Sequence, residues 1–139
     1  KISIICKTYG IFNQTANVHL DQKCGCPKCS INISKKEQEW LKSLNIIHLK
    51  LQYVLFVNNK KYKVDGYDPD TNTVYEFYGD YWHGNPQIYN ENNINLSNKK
   101  TFKELYDKTL DRECKILQLG YNLISIWESD WDNRRIITC

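Results

Sequence analysis

The apolar positions of this chain follow two periods. From Ser34 to Leu44 they recur every three or four residues. Trp40, Leu41 and Leu44 make one stripe, and Ser34-Lys35-Lys36-Glu37 ahead of them matches a capping box. This predicts a helix that Asn45 ends. Leu51 to Val57, Lys60 to Asp65 and Thr73 to Tyr78 are instead rich in β-branched and aromatic residues. Asn58-Asn59 and Asp68-Pro69-Asp70-Thr71-Asn72 separate them as turn signals, so three strands of an antiparallel meander are predicted. Residues 84–100 are polar, with Asn90, Asn92, Asn93, Asn95 and Asn98, and predict a mobile surface loop that a ligand can order. Thr101-Phe102-Lys103-Glu104 is a second capping box. It opens a predicted helix to Leu119, stopped by Gly120, with Leu105, Thr109, Cys114 and Leu117 on its inner face. Tyr121 to Trp127 is a last apolar strand. A strand reached through a helical crossover lies parallel to its neighbour. The expected fold class is therefore α/β, a mixed β-sheet flanked by helices in the order α-β-β-β-α-β, without internal repeats.

Residues 1–31 differ. Ile2 to Phe12 reads as two short strands turning at Tyr9-Gly10, residues 14–20 as a helical turn, and Cys24, Cys26 and Cys29 follow. No hydrophobic period there is long enough to make a core, so the segment needs a staple such as zinc. The expected domains are a Cys-rich module over 1–31 and a second domain over 32–139. Aromatics at 13% give the second domain large apolar side chains for a core. A net charge of +3 permits nucleic-acid binding without requiring it. No apolar run approaches the roughly 18 residues of a membrane span, and no secretory signal is visible. Cysteines in C-x-C and C-x-x-C spacing suit metal better than disulfides, which favours a reducing compartment, cytoplasm or nucleus. A chain that starts at Lys1 and contains no Met reads as a piece of a longer or processed protein.

The chemistry concentrates in Val64-Asp65-Gly66 and Tyr75-Glu76-Phe77-Tyr78-Gly79-Asp80-Tyr81-Trp82-His83-Gly84. Asp65 and Glu76 lie on successive predicted strands and can meet across the hairpin to hold one hard cation, Mg²⁺ or Mn²⁺. The Phe77 carbonyl can add an oxygen ligand, Glu37 can hold a metal-bound water, and His83 can transfer a proton. Each residue has a plainer reading. Asp65 before Gly66 suits a turn, Glu37 completes a capping box, and His83 suits a surface. Glu76 resists dismissal, because a Glu between apolar neighbours in a strand is unfavourable unless paired or metal-bound.

These residues resemble the PD-(D/E)xK nuclease motif, as Asp65…Glu76-x-Tyr78. The run from Phe77 to His83 is similar to the very short patch repair endonuclease family, and Leu119-Gly120-Tyr121…Leu123…Ile126-Trp127-Glu128 resembles that family's closing strand. EDxHD homing-type endonucleases are also similar. The resemblance covers residues 34–131. It implies a restriction-endonuclease-like fold, Glu37, Asp65, Glu76 and His83 as catalytic residues, and Asp65, Glu76 and Phe77 as Mg²⁺ ligands. It also implies a polar helix residue near the site, at Thr109 or else Asp107 or Asp111, and Tyr81 and Trp82 as aromatics that wedge into DNA. Core packing is the plainer reading of the two aromatics. Three departures stand out. Tyr78 occupies the motif's lysine position, Glu76 restores an acid that the repair enzymes lack, and Asp80 and Asn85 occupy two of their structural zinc positions.

Cys6…Tyr9-Gly10…Gly25-Cys26-Pro27-Lys28-Cys29 resembles treble-clef zinc modules attached to such nucleases. This zinc-finger-like module would hold a structural Zn²⁺ through Cys6, Cys26 and Cys29, with Cys24 or His19 in the place where Tyr9 interrupts the pattern. Lys23, Lys28, Lys35 and Lys36 lie near it and can touch phosphates. The expected partner is DNA, with Lys99 and Lys100 and with Lys60 and Lys61 tracking its backbone. The expected activity is metal-dependent endonucleolytic hydrolysis. The alternatives are a DNA-binding domain that kept the fold with weak chemistry, and a zinc-stabilised interaction module.

Overall fold

Left-handed asparagines break the strands where the sequence places turns. Asn58 and Asn59 have φ of 46° and 62°, the double positive φ of a tight hairpin turn, and Asn72 has 53°. The computed structural model describes residues 1–6, 10–16 and 34–134. Its contacts divide the chain into two units, Lys1–Ser34 and Lys35–Cys139.

In the first unit, β1 (Ile2–Cys6) pairs antiparallel with β2 (Gly10–Gln14), Ile2 opposite Gln14 and Cys6 opposite Gly10. Cys6 therefore ends β1. The other proposed zinc ligands, Cys24, Cys26, Cys29 and His19, lie outside the described residues, as do Tyr9, Lys23 and Lys28.

The second unit holds a four-stranded mixed sheet in the order β3 (Lys50–Val57), β4 (Lys60–Asp68), β5 (Thr73–Tyr78), β6 (Asn122–Trp127). The first three are antiparallel and β6 runs parallel to β5. Among the described residues four helices accompany them: α1 (Lys35–Ser43), α2 (Asp80–His83), α3 (Phe102–Gln118) and α4 (Glu128–Asn133). The meander and the parallel return follow the sequence pattern. The helix at Glu128–Asn133 does not; too short for a period, it is fixed by Trp131 entering the core. Strand β4 also runs three residues beyond the predicted Asp65, so Asp65 lies inside the strand and not at its end.

Every residue of β5 is buried, because both faces of the sheet are covered there. On one face Tyr75 and Phe77 pack with Trp40 and Leu41 of α1 and Trp131 of α4. On the other Val74 packs with Leu55, Val64 and Ile116 of α3. Helix α3 is capped as predicted: Glu104 N–H donates to Thr101 Oγ1 at 3.1 Å, and Thr101 N–H donates to Glu104 Oε2 at 2.8 Å. Its inner face is corrected. Phe102, Leu105, Thr109 and Ile116 are buried, whereas Cys114 and Leu117 are exposed. The stripe runs 105, 109, 112, 116, so Arg112 stands on an inward position.

The loop 84–100 is not a loose polar segment. Asn85 and Asn95 are fully buried. Asn95 donates to Tyr81 O at 2.9 Å and accepts from Ser97 N–H at 2.9 Å, while Asn85 donates to Asp80 Oδ1 at 2.7 Å. Ser129 Oγ also donates to Asp80 Oδ1, at 3.1 Å. Asparagine serves here as a local substitute for backbone partners, which orders a chain segment without a hydrophobic period. Among the described residues, no helix is long and apolar enough to cross a membrane.

Candidate active site

The site starts from a break in strand alternation. Val64 and Tyr67 pack on the α3 face of the sheet, yet a Cβ on Gly66 would meet Leu41 and Leu49 on the α1 face. In a regular strand residues 64 and 66 would share a face. The register of β3 with β4 runs from Lys50↔Tyr67 to Val57↔Lys60 with one gap, at Gln52 opposite Asp65. Gln52 sits there at φ 49°, in the left-handed region that a non-glycine residue adopts at a cost of about 1 kcal/mol or more. The kink turns Asp65 toward β5, and Phe77 N–H donates to Asp65 Oδ2 at 2.8 Å. The β4–β5 ladder ends just before this, at Gly66↔Tyr75. The carboxylate thus takes a donor that a strand carbonyl would otherwise take. In an extended strand the N–H and C=O of one residue face the same neighbour, so the Phe77 carbonyl opens toward this fork too.

Gln52 joins Asp65 to Glu37. Its Nε2 donates to Glu37 Oε1 at 2.8 Å, and the same amide helps stabilise the Asp65 charge. Glu37 is buried in the first turn of α1. Burial pushes the Asp65 carboxyl above its ordinary value, against the pull of Phe77 N–H, Arg112 and Gln52.

Glu76 is 4% exposed and points to the α3 face. Arg112 Nη2 donates to its Oε1 at 2.7 Å and also to the Lys63 carbonyl. Burial nevertheless raises the Glu76 pKa to about 7; Asp65 and Glu113 push the same way, and Arg112 opposes without cancelling. Tyr78 lies two residues on, with its ring 4.8 Å from that of His83 and 5.3 Å from Trp127. Its hydroxyl is buried and has no hydrogen-bond partner of normal geometry. Burial, then the nearby carboxylates of Glu76 and Glu113, hold the phenol protonated well above its usual range.

His83 ends α2, and Gly84 follows in the left-handed conformation at φ 68°. A Cβ there would run into the Phe102 carbonyl, so only glycine lets α2 close against α3. That approach puts His83 Nδ1 3.2 Å from Thr109 Oγ1. Thr109 donates its own hydrogen to Leu105 O at 3.0 Å, so it accepts from Nδ1–H and leaves the Nε2 lone pair available. Burial, with Arg112 and Lys108 adding, lowers the His83 pKa to about 4. At neutral pH the ring is an uncharged base.

A cavity of about 430 Å³ opens beside His83. Trp82, Lys100, Lys108, Arg112 and Lys115 line it. The two aromatics of the motif part company. Tyr81 packs edge-on against Trp82, Tyr89 and Phe102, whereas Trp82 is 58% exposed. Lys99 lies in the left-handed region at φ 63°, one residue before Lys100. Of the polar helix residues, Thr109 meets His83, whereas Asp107 pairs with Lys103 and Asp111 with Lys115.

The geometry thus links Glu37 to Asp65 through Gln52, Asp65 to Phe77, and Glu76 to Asp65 and His83 through the charge of Arg112. Among the described residues, no group of three or more His, Cys, Asp and Glu side chains is arranged to hold a metal ion. The Mg²⁺ expectation on Asp65, Glu76 and Phe77 therefore involves two carboxylates and a carbonyl. Sequence reasoning missed Gln52, Glu113 and Arg112. Only Arg112 left a signal, at a stripe position between Thr109 and Ile116. Comparison with protein-family models, curated proteins and solved structures finds no match.

Proposed function

We propose that this chain is a divalent-metal-dependent DNA endonuclease with a restriction-endonuclease-like fold, as its resemblance to the PD-(D/E)xK and very short patch repair families implies. The observation that carries the reading is the kink at Gln52–Asp65. It turns a carboxylate into the fork of the sheet near the buried Glu76, whose partner Arg112 also acts on a histidine kept neutral. Two buried carboxylates, each raised by burial, with one raising the other, fit a hard divalent cation that would relieve them. Asp65, Glu76 and the Phe77 carbonyl would hold it, and the cation would supply Lewis-acid polarisation of a phosphate and a more acidic water.

The chain's own residues do the rest. Glu37, fixed by Gln52, orients the attacking water. His83 Nε2 takes the proton as the water oxygen forms its bond to phosphorus and the ester P–O bond breaks; the leaving oxygen takes a proton from solvent water and is released as a hydroxyl, and His83 returns its proton to solvent. Thr109 holds the ring in the tautomer that this needs. The exposed Trp82 supplies a stacking face for DNA, with Tyr81 as its packed support. Lys99 and Lys100 supply backbone contacts.

Nicking of supercoiled plasmid tests the reading. Wild type nicks it with Mg²⁺ or Mn²⁺, and Asp65→Ala does not. Equal activity of the two, or none from wild type, overturns the reading. A second reading is a DNA-binding domain with weak chemistry. It is favoured by Tyr78 in the motif's lysine position and predicts a gel shift without cleavage. We also propose a structural zinc held by Cys6, Cys24, Cys26 and Cys29, which elemental analysis of protein purified without chelators tests.

A further inference from the structure

A lysine in the PD-(D/E)xK motif brings positive charge to the phosphate, and Tyr78 cannot do this at neutral pH. The structure brings a cation to the same strand, at Glu76, from another element. Arg112 stands on the inward stripe of α3, where a charged residue is costly unless paired or used. Its Nη2 bonds Glu76 Oε1 at 2.7 Å and the Lys63 carbonyl. Among the described residues, nothing accepts from its Nε or Nη1. The side chain is 29% exposed and lines the cavity beside His83. Lys100 and Lys108 line the same cavity, and its one acid, Asp111, is already paired with Lys115 at 2.6 Å. A fork of unused guanidinium donors and two further cations beside a neutral base describe a site for an anion with several oxygens.

We propose that the cavity beside His83 seats a DNA phosphodiester, the scissile one, and that Arg112 clamps its non-bridging oxygens in the role of the absent motif lysine. The guanidinium touches two things at once. Its Nη2 edge neutralises Glu76, and its remaining edge faces the phosphate, so the negative charge on the phosphate oxygens in the transition state is met by the guanidinium. Lys108 supports the same phosphate from one helical turn earlier. This inference rests on the nuclease reading for the word scissile, and DNA binding is measured apart from cleavage.

The experiment is binding of the full chain to a short DNA duplex in EDTA, where hydrolysis is suppressed, over a range of salt. Arg112→Met is expected to weaken binding about tenfold, the size of one charge-assisted hydrogen bond to phosphate, and to flatten the log–log salt slope by about one. Lys108→Met is expected to flatten the slope similarly. Arg112→Lys is expected to restore the slope and part of the affinity, since it keeps the charge and loses the fork. Arg112→Met also leaves Glu76 unpaired, so the double variant Arg112→Met/Glu76→Gln separates contact from neutralisation. If the double variant binds like wild type, Arg112 only neutralises Glu76 and the clamp is overturned. Arg112→Met that melts lower but binds with unchanged slope also overturns it. Where Arg112→Met does not fold, Arg112→Lys and Lys108→Met carry the decision. If the binding effects appear while wild type leaves plasmid intact with Mg²⁺ and Mn²⁺, the phosphate cavity stands and the nuclease reading falls.

Discussion

Tyr78→Phe separates fold from function at one atom. The phenol ring fills space between His83 and Trp127, and phenylalanine keeps that packing. Only the hydroxyl is lost, a buried group without a partner of normal geometry. A buried unsatisfied donor costs about 1–3 kcal/mol, so its removal is expected to stabilise the chain, by about 1 kcal/mol at the low end. For a unit of this size that raises the melting temperature by about 4–8 °C. Activity is expected to move the other way. If the hydroxyl donates to substrate phosphate, its loss removes one hydrogen bond of about 1 kcal/mol and slows nicking about fivefold. Thermal melting by circular dichroism and the rate of plasmid nicking give the two readouts on the same preparation. A lower melting temperature would falsify the reasoning, since the hydroxyl must then be bonded in solution, with the nearby Glu113 carboxylate as its acceptor. A higher melting temperature with unchanged nicking would show that the orphan donor has no part in the reaction.

Stability against pH tests the electrostatics of the site. Glu76, raised from 4.5 to about 7, keeps in the folded chain a proton that the unfolded chain releases, so it makes stability fall as pH rises from 4.5 to 7. His83, lowered from 6.5 to about 4, makes stability rise from pH 4 to 6.5. The slopes oppose each other where they overlap. Glu76→Gln should therefore expose a rise of about 3 kcal/mol between pH 4 and 6.5 in urea unfolding, and a flat profile would refute the His83 shift. Gly84→Ala should destabilise by about 2–4 kcal/mol, through left-handed strain and the collision with the Phe102 carbonyl, and a melting temperature near wild type would count against that close approach. Gln52→Gly should leave the melting temperature nearly unchanged, because relief of strain at φ 49° offsets a lost hydrogen bond, yet reduce nicking as Glu37 is released. Full activity in Gln52→Gly would remove Gln52 from the site.

The strands and the long helix were legible because their ends carry chemistry that acts locally. Asn58-Asn59, Asn72, the Thr101–Glu104 box and Gly120 each act within a few residues of themselves, and the structure uses them as read. Glu76 was legible for a different reason. A carboxylate in a strand with no polar face has to be explained by something outside the strand, and the sequence shows that much without showing Arg112. The loop after Gly84 misled because polarity was read as solvation, whereas Asn85 and Asn95 use their amides as internal partners. Arg112 was passed over because a charge on a helix reads as solvent-facing, so the stripe was drawn through Cys114 and Leu117 instead.

Asp65 marks the limit of reading by alternation. Counting in twos along a regular β4 puts Val64 and Gly66 on one face and Asp65 on the other, aimed at a helix and not at β5. Its bond to Phe77 N–H is made where Gln52, on the neighbouring strand, adopts a left-handed conformation that its own side chain disfavours. No residue within hydrogen-bonding range in the sequence announces that. The strain is local and the compensation is distributed: Glu37 from α1 holds the Gln52 amide, and Trp40 and Leu41 of the same helix pack against the strand that carries Phe77. A polar kink held from outside by a helix is a poor way to build a stable sheet and a direct way to turn a carboxylate into its plane. That asymmetry is why the kink, more than the spacing of the acids, supports a site for chemistry here.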